Sequence, residues 1–302
     1  MSIDLTYFGS LLLGTIVFAI FAPVLGCLLT GLDRKISAKM QGRIGPPIMQ
    51  PFYDAMKLLS KETASINSSE RVYVWMSLIF AFLAGGIFLS GGNLLLCIFV
   101  ITLSNLMFIM AGYCSRSPYA DAGSAREILQ VMAYEPAILI FAICIIMALS
   151  KSGIEVVDTG NVSTLLTCSA PVITTCWASF IGLVYVLTIK LRKSPFDLST
   201  SHHAHQELVS GITTEMTGRT LALVELTHWV ESVLFLAWIG LFFVFSNPLS
   251  IGLAILVALL VWFLEIVIDN NAARVKWQLM LKSAWIVALI TGVVNMALLV
   301  FI

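Results

Sequence analysis

Long apolar runs alternate with short polar segments along most of this chain. The runs fall at about residues 8–30, 72–90, 93–113, 128–150, 171–190, 221–246, 249–268 and 283–302. A helix that crosses the hydrocarbon core of a bilayer needs roughly 20 mainly apolar residues. Membrane β-strands would instead appear as alternating segments of about 10 residues. The pattern predicts an all-α polytopic membrane protein of about eight transmembrane helices, with residues 1–302 forming a single integral membrane domain.

Composition supports this assignment. Hydrophobic residues make up 59% of the chain, charged residues only 11%, and the mean hydropathy is +0.97, values that exclude an ordinary soluble globular protein. No basic residue precedes the first run in "MSIDLTYFGS", so we expect a true span there rather than a cleaved signal peptide. The net charge is zero and no basic tract is dense, which argues against nucleic-acid binding.

Positive charges concentrate in every second loop. Lys151 is the only Lys or Arg residue in the even-numbered loops. Cytoplasmic loops carry the excess of Lys and Arg, so the pattern predicts cytoplasmic odd-numbered loops and both termini outside. The odd-numbered loops contain Arg34, Lys35, Lys39, Arg43, Lys57, Lys61, Arg71, Arg116, Arg126, Lys190, Arg192, Lys193, Arg219, Arg274, Lys276 and Lys282.

The first cytoplasmic loop predicts a short amphipathic helix. Gly45-Pro46-Pro47 breaks any preceding helix, and Pro51 suits a first helical turn. Apolar residues then recur at helical spacing against charged ones: Phe52, Met56, Leu58 and Leu59 against Asp54, Lys57 and Lys61. Such a helix lies at the membrane surface. It either faces anionic lipid or docks a soluble partner. The partner interface would include Arg34, Arg43, Asp54 and Lys57.

The stretch "AREILQVMAYEPAILI" carries polar groups into the fourth span. In a helix Glu127 and Tyr134 are seven residues apart and share a face. Pro136 removes a backbone donor, which frees the carbonyl of Met132.

Glu135 in this stretch lies about 12 Å along the helix from its start near Glu127. A carboxylate at that depth needs a proton, a cation or water. The alternative for Glu127 and Glu135 is an interfacial glutamate paired with Arg126 or Arg116. The pattern leaves both interpretations open.

The sixth span places three titratable groups at successive depths. If the helix begins near Thr220, Glu225 lies roughly 7 Å and Glu231 roughly 16 Å from the cytoplasmic edge. His228 lies between them, three residues from each, on the same broad face. Burial favours the neutral forms of both acids and imidazoles, so protons can pass between them. The pattern predicts a proton relay; a buried polar cluster that fixes helix packing is the alternative.

The seventh span contains a pair of acids. Glu265 and Asp269 are four residues apart and therefore share a helix face. Arg274 and Lys276 could neutralise them from the cytoplasmic side. Structural pairing and membership of the relay both remain open.

Cysteines and histidines are the candidate metal ligands. The six cysteines include no CxxC pair, so no iron–sulfur or zinc site is expected from them. Cys168 and Cys176 form either a disulfide or two buried thiols. The loop stretch "STSHHAHQE" contains His202, His203, His205 and Glu207. Three interpretations of this stretch remain: it binds a metal, it is an ordinary solvated loop, or it takes part in proton handling or partner docking.

Several motifs together resemble one known family. They are "GRIGPP" and "QPFYDAMKLLSKE" in the first loop, "QVMAYEP" in the fourth span, and "KSPFDL" followed by "QELVSGITTE" in the fifth loop. This set is similar to the NADH dehydrogenase subunit 1 family. Its members are the eight-helix subunit of complex I that anchors the peripheral arm, and the counterparts in membrane-bound [NiFe] hydrogenases.

Two departures resemble the energy-converting hydrogenase (Ech) branch of that family. "STSHHAHQ" replaces a shorter acidic segment of complex I subunits, and the first loop is shorter than in quinone-reducing relatives. Such complexes oxidise ferredoxin, evolve hydrogen and move ions without a quinone, so the resemblance implies a location in a prokaryotic cell membrane.

The resemblance also implies roles for particular residues. Glu135, Glu207, Glu215 and Glu225 match carboxylates of the family's polar path from the hydrogenase interface into the membrane. His228, Glu231, Glu265 and Asp269 join the expected proton or ion pathway only through the depth and spacing arguments above. His202, His203 and His205 would face the partner.

The resemblance implies a non-redox membrane subunit. It would dock the hydrophilic arm and link that arm to proton or sodium translocation. We expect no cofactor in this chain, with the [NiFe] centre and iron–sulfur clusters in partners. Those partners would be hydrogenase large and small subunits, an iron–sulfur subunit and an antiporter-like membrane subunit. The alternatives are a subunit that lines a quinone site, as in complex I, and a stand-alone ion transporter.

Overall fold

The predicted all-α membrane fold is confirmed. The computed structural model describes residues 5–63, 67–151, 160–193, 195–196, 199–200 and 208–301, with side chains from residue 7 onward. Within these residues, eight helices are long and apolar enough to cross a membrane. They are α1 (Leu5–Met40), α3 (Ser68–Leu89), α4 (Leu94–Cys114), α5 (Pro118–Lys151), α7 (Ile173–Lys190), α8 (Gly218–Leu241), α9 (Leu249–Asn271) and α10 (Trp277–Phe301).

Three short elements connect these spans. They are α2 (Gln50–Ser60), α6 (Val162–Leu165) and a single 3-10 turn (Gly211–Thr213). The predicted helix after Pro51 is therefore present, with Pro51 in its first turn. Pro51 and Ala55 are buried where α2 packs on α8. Phe52 and Met56 are about half exposed, so the apolar side of α2 points away from the bundle.

The bundle is built around α5, α7 and α8. Their fully buried side chains include Phe141, Leu187 and Ile239. Helix α9 is much more exposed than these three, and Leu256 and Leu260 project from it. An apolar, exposed helix surface in such a protein faces lipid or another membrane subunit.

The two ends of the bundle differ in polarity. We call one end the α2 end; there Arg219 Nε donates to the Leu59 carbonyl at 3.2 Å. The backbone N–H of Val275 donates to the Pro195 carbonyl nearby, at 2.5 Å. At the opposite end, the backbone N–H of Ser246 donates to the Cys168 carbonyl at 2.9 Å. Nearly all Lys and Arg residues lie in the loops and helix ends at the α2 end; Lys151 is the exception.

All six cysteines are free thiols. The disulfide alternative for Cys168 and Cys176 is therefore not realised. Cys168 Sγ donates to the Thr164 carbonyl at 3.3 Å, and burial raises the pKa of this thiol. Cys176 Sγ instead donates to the Cys144 carbonyl at 3.5 Å.

Helix α5 continues through Pro136. The missing N–H of Pro136 leaves the Met132 carbonyl without its helical donor, as the sequence predicts. Trp285 of α10 supplies a replacement, since its Nε1 donates to the Met132 carbonyl at 3.2 Å. The proline thus creates a hydrogen bond between two helices without breaking α5.

Candidate functional site

A charged cavity of about 220 Å³ lies between α1, α7, α8 and α9. We call it the chamber. Three carboxylates, three cationic side chains and one imidazole line it, beside apolar and hydroxyl side chains. These titratable residues are Asp33, Lys190, Arg192, Lys193, Glu225, His228 and Glu231.

The innermost charges of the chamber form a buried ion pair. Lys190 Nζ lies 3.0 Å from Glu231 Oε2, and both side chains are almost inaccessible. The same ammonium donates to Asn105 Oδ1 at 2.7 Å and to the Tyr134 hydroxyl at 3.4 Å. It also lies 5.2 Å from the centroid of the Phe235 ring. A buried ammonium needs a counter-ion and acceptors for its protons, and this site supplies both.

Arg192 forms the second pair. Its Nη2 lies 2.9 Å from Glu127 Oε1, and the Ser199 hydroxyl donates to the other Glu127 oxygen. The guanidinium also lies 5.5 Å from the centroid of the Phe108 ring. Arg192 has a left-handed backbone, with φ of 56°, an unusual conformation for a non-glycine residue. Glu127 therefore pairs with Arg192, where the sequence alternative named Arg126 or Arg116.

Lys193 forms the third set of pairs. Its Nζ lies 2.5 Å from Asp33 Oδ2 and 3.7 Å from Asp269 Oδ2. The sequence suggested Arg274 and Lys276 as neutralising partners for Asp269; Lys193, three residues beyond the end of α7, is a cation near Asp269 that the sequence did not suggest. Glu265, one turn away on α9, is fully buried. Neither of its carboxyl oxygens has a hydrogen-bond partner among the described residues.

These pairs share one short segment, residues 190–193, which we call the cationic corner. Its three cations contact carboxylates from four different helices: Glu231 of α8, Glu127 of α5, Asp33 of α1 and Asp269 of α9. Helix α7 ends here, and the chain turns through the left-handed Arg192. With α7 ended and the chain turned at Arg192, the three cations reach carboxylates on four different helices.

Helix α8 supplies the predicted series of titratable groups to the same cavity. Glu225, His228 and Glu231 all line the chamber, as their spacing of three residues implies. The His228 ring packs edge-on against Phe108, with centroids 5.4 Å apart. Phe108 therefore contacts both His228 and the guanidinium of Arg192.

A larger cavity of about 810 Å³ adjoins the chamber at the α2 end. We call it the vestibule. Asp33, Glu225 and Thr30 line both cavities, so they mark the junction between them. The vestibule is also lined by Arg34, Ser37, Ala38, Gln41, Arg43, Ile44, Pro46, Asp269, Asn270 and Arg274. This arrangement gives the buried pairs a polar route toward the α2 end.

Some predicted pathway residues lie away from the chamber. Glu135 is half-buried between α4 and α5, where the Thr102 hydroxyl donates to it. Glu215 lies between the 3-10 turn and the start of α8. Glu207 lies outside the described residues.

The predicted docking residues cluster near α2 where they are described. Arg34 Nη1 pairs with Asp54 Oδ2 at 2.9 Å, with both side chains well exposed. Arg43 donates to Gln41, and Lys57 is exposed. The three histidines His202, His203 and His205 lie outside the described residues.

Sequence reasoning missed Lys190, Asn105 and Glu70. Lys190 falls among the loop charges along the chain because it ends an apolar run, but its side chain points inward. Asn105 is a single amide inside the apolar α4 and accepts from Lys190. A polar residue in the middle of a membrane span was the signal available for it. Glu70 begins α3 and is almost fully buried, which its position at a helix start did not reveal.

No metal centre emerges from the described part of the chain. It contains no group of three or more His, Cys, Asp or Glu side chains that could hold a metal ion. The chamber brings together carboxyl, ammonium and imidazole groups that can take up or release a proton, beside Arg192, which keeps its charge. In such ion pairs, a change in the protonation of one member changes how readily the other member is protonated.

Two known proteins are similar to this chain over most of its length. Hydrogenase-4 component C of Escherichia coli is 27% identical over 92% of this chain and 93% of its own length. A putative NADH-ubiquinone oxidoreductase of Methanocaldococcus jannaschii is 30% identical over 81% of both chains.

A solved structure has the same fold. It is a chain of the membrane-bound sulfane sulfur reductase, an archaeal respiratory membrane complex, with a TM-score of 0.79. The alignment covers 94% of this chain and 99% of that one, at 21% identity. The family model described as NADH dehydrogenase matches residues 13–300. This chain therefore belongs to the NADH dehydrogenase subunit 1 family of membrane proteins.

Proposed function

We propose that this chain is the non-redox membrane subunit of a ferredoxin-dependent energy-converting [NiFe] hydrogenase. Family membership makes it a membrane subunit of a hydrogenase-like or complex I-like respiratory complex. In the finer proposal, hydrogenase large and small subunits and an iron–sulfur subunit hold the redox centres. An antiporter-like membrane subunit moves protons or sodium ions. This chain binds the subunits that hold the redox centres, and it links their reaction to ion movement in the antiporter-like subunit.

The observation that carries this proposal is the cationic corner. It joins the chamber to the segment that leads into the fifth loop, the expected docking site of the hydrophilic arm. Ser199, in the described part of that loop, donates to the Glu127 side of the Glu127–Arg192 pair. A change of charge or position at the arm would therefore act directly on buried ion pairs.

We propose that the α2 end faces the cytoplasm and that the soluble subunits bind there. The exposed Lys57 and the exposed Arg34–Asp54 pair provide charged groups beside the exposed apolar side of α2. A soluble partner would bind this mixed surface through complementary charges. We assign the histidine loop, His202 to His205, to the same interface.

Identification of the proteins that co-purify in mild detergent tests the composition of the complex. We expect a [NiFe] large subunit, a small subunit, an iron–sulfur subunit and an antiporter-like subunit, and hydrogen evolution from reduced ferredoxin. The variant Lys57→Glu should release the soluble subunits at lower salt concentration. Lys282→Glu, which changes an exposed lysine on α10, is the matched control. Co-purification of NADH-oxidising subunits without a [NiFe] subunit would contradict the proposal.

The vestibule supports a second candidate, a subunit that lines a quinone site. Its volume of about 810 Å³ is in the range of pockets that bind small molecules, and it joins the chamber directly. Solvent extraction of the purified complex followed by mass spectrometry separates the two candidates. Stoichiometric quinone would favour the complex I-like function, and its absence together with ferredoxin-dependent hydrogen evolution would favour the hydrogenase.

A further inference from the structure

A second large cavity, of about 710 Å³, lies between α1, α3, α8 and α9, beside the short helix α6. Among the described residues that line it, none carries a charge. Leu25 of α1 and Ile255 of α9 both line this cavity and are about half exposed. The cavity therefore reaches the surface of the bundle between these two helices, and we call it the outer cleft.

The outer cleft extends through about one half of the membrane. Ser90 and Ser163, which lie at the end of the bundle opposite α2, line one end of it. Helix α9 begins at that same end with Leu249. The lining residues of α9 run from Ile251 to Leu259, a length of about 12 Å at a rise of 1.5 Å per residue. Half of a hydrocarbon core of ~30 Å is about 15 Å, so the cleft matches the depth of one leaflet.

The inner end of the outer cleft adjoins the chamber. Leu29 and Leu236 line both cavities, so their side chains form part of the wall between the apolar space and the buried ion pairs. An empty space of this size would deprive its lining of dispersion contacts. Water gains little by entering an apolar cavity, because it finds no hydrogen-bond partners there. The outer cleft therefore suits an apolar occupant.

We propose that the outer cleft binds one acyl chain of a phospholipid from the leaflet opposite the α2 end. The end of the acyl chain lies at Leu29 and Leu236, and the glycerol group lies near Ser90 and Ser163. Because the lining is uncharged, the site selects the hydrocarbon chain and not the headgroup. A transmembrane helix of another subunit fits less well. A helix is about 10–12 Å wide, so 12 Å of it occupies on the order of 1,000 Å³, which is more than the cleft offers.

Photolabelling of the intact purified complex with two lipid probes tests this placement. The complex is reconstituted in phosphatidylcholine vesicles that contain a phosphatidylcholine with a diazirine either at the end of one acyl chain or next to the glycerol group. We expect the terminal diazirine to label Leu29 or Leu236, and the diazirine next to glycerol to label Ser163 or its neighbours. The reverse order would overturn the proposal. Equal labelling of Leu256, which projects from α9 outside the cleft, would also overturn it, because lipid would then only surround the protein.

Filling the outer cleft should displace the acyl chain. Ala258 of α9 and Ala237 of α8 line the cleft with small side chains. In Ala258→Trp, and in Ala237→Phe as a second variant, the labelling of Leu29 and Leu236 by the terminal diazirine should fall at least threefold. Leu256→Trp places a side chain of the same size on the exposed surface of α9 and should leave the labelling unchanged. Unchanged labelling in both filled variants would reject the outer cleft as the site.

Competition between lipids tests what the site recognises. Unlabelled phosphatidylcholine and phosphatidylglycerol with the same acyl chains should reduce the labelling equally, within about twofold. A preference of more than tenfold for one headgroup, or an isoprenoid quinone found in the cleft instead of a phospholipid, would overturn the proposal. Hydrogen evolution and ion transport enter none of these measurements, so the acyl-chain site and the proposed function can fail independently.

Discussion

At the scale of single residues, the main feature is a lysine that ends an apolar helix and turns inward. Lys190 is held by Glu231, Asn105 and Tyr134 within a region where isolated charges are costly. The chain thus carries a compensated charge near the middle of the bundle. Any change in the protonation of Glu231 alters that compensation. This property makes the pair suitable for passing on a signal from the partner arm.

A double-mutant cycle tests whether Lys190 and Glu231 stabilise each other. Lys190→Met and Glu231→Met should each lower the free energy of unfolding by roughly 3–5 kcal/mol, because each leaves an unpaired buried charge. The double variant should cost less than either single variant. Denaturant unfolding in detergent micelles measures these values, with the exposed Lys282→Met as control. Purely additive costs would show that the two charges are not coupled.

At the scale of helices, specific contacts between elements fix the geometry of the site. Trp285 of α10 binds the carbonyl that Pro136 frees in α5, and Gly31 of α1 lies against the backbone of Ile48. The first contact fixes the part of α5 that carries Tyr134 and Glu135. The second holds the first loop close to α1, where the vestibule opens.

The Trp285 contact should depend on Pro136. Trp285→Phe removes the donor and should cost about 1 kcal/mol of unfolding free energy. In a Pro136→Ala background the restored N–H can bond the Met132 carbonyl within α5, so Trp285→Phe should then cost much less. Thermal or denaturant unfolding of the four proteins provides the comparison. An equal cost in both backgrounds would mean that the tryptophan contributes only by packing.

Substitution of Gly31 should displace the first loop. A Cβ at this position would collide with the Ile48 carbonyl oxygen, so Gly31→Ala should destabilise the protein by about 1–3 kcal/mol through overpacking. Limited proteolysis should also cut the first loop faster. Gly252→Ala on α9 is the matched control, because a Cβ there meets nothing within 4 Å. Equal behaviour of the two variants would contradict the close packing of the first loop on α1.

At the scale of the whole molecule, the eight spans and α2 could be predicted from the sequence because length, hydropathy and proline position determine them locally. The face shared by Glu225, His228 and Glu231 also followed from helical spacing. The ion-pair partners of the charged side chains could not be predicted from the sequence, because they lie on other helices. Neither the contact between Lys190 and Glu231 nor that between Lys193 and Asp33 has a signal along the chain. The outward position of Glu135 likewise depends on how α4 and α5 pack.

The molecule as a whole combines a charged surface at the α2 end, a polar vestibule and a chamber of buried ion pairs. Helix α5 does not line the chamber but contacts two of the cations that do: Glu127 pairs with Arg192, and the Tyr134 hydroxyl accepts from Lys190. Glu135 of the same helix lies half-buried beside Thr102 of α4.

The most direct test is the number of ions moved per hydrogen evolved by the intact complex in sealed vesicles. In Glu231→Gln we expect hydrogen evolution from reduced ferredoxin to continue while ion uptake falls at least fivefold. The control Glu62→Gln should retain the ratio of the unmodified complex. A Glu231→Gln complex that keeps the full ratio of ions to hydrogen would contradict the claim that the chamber links the two processes.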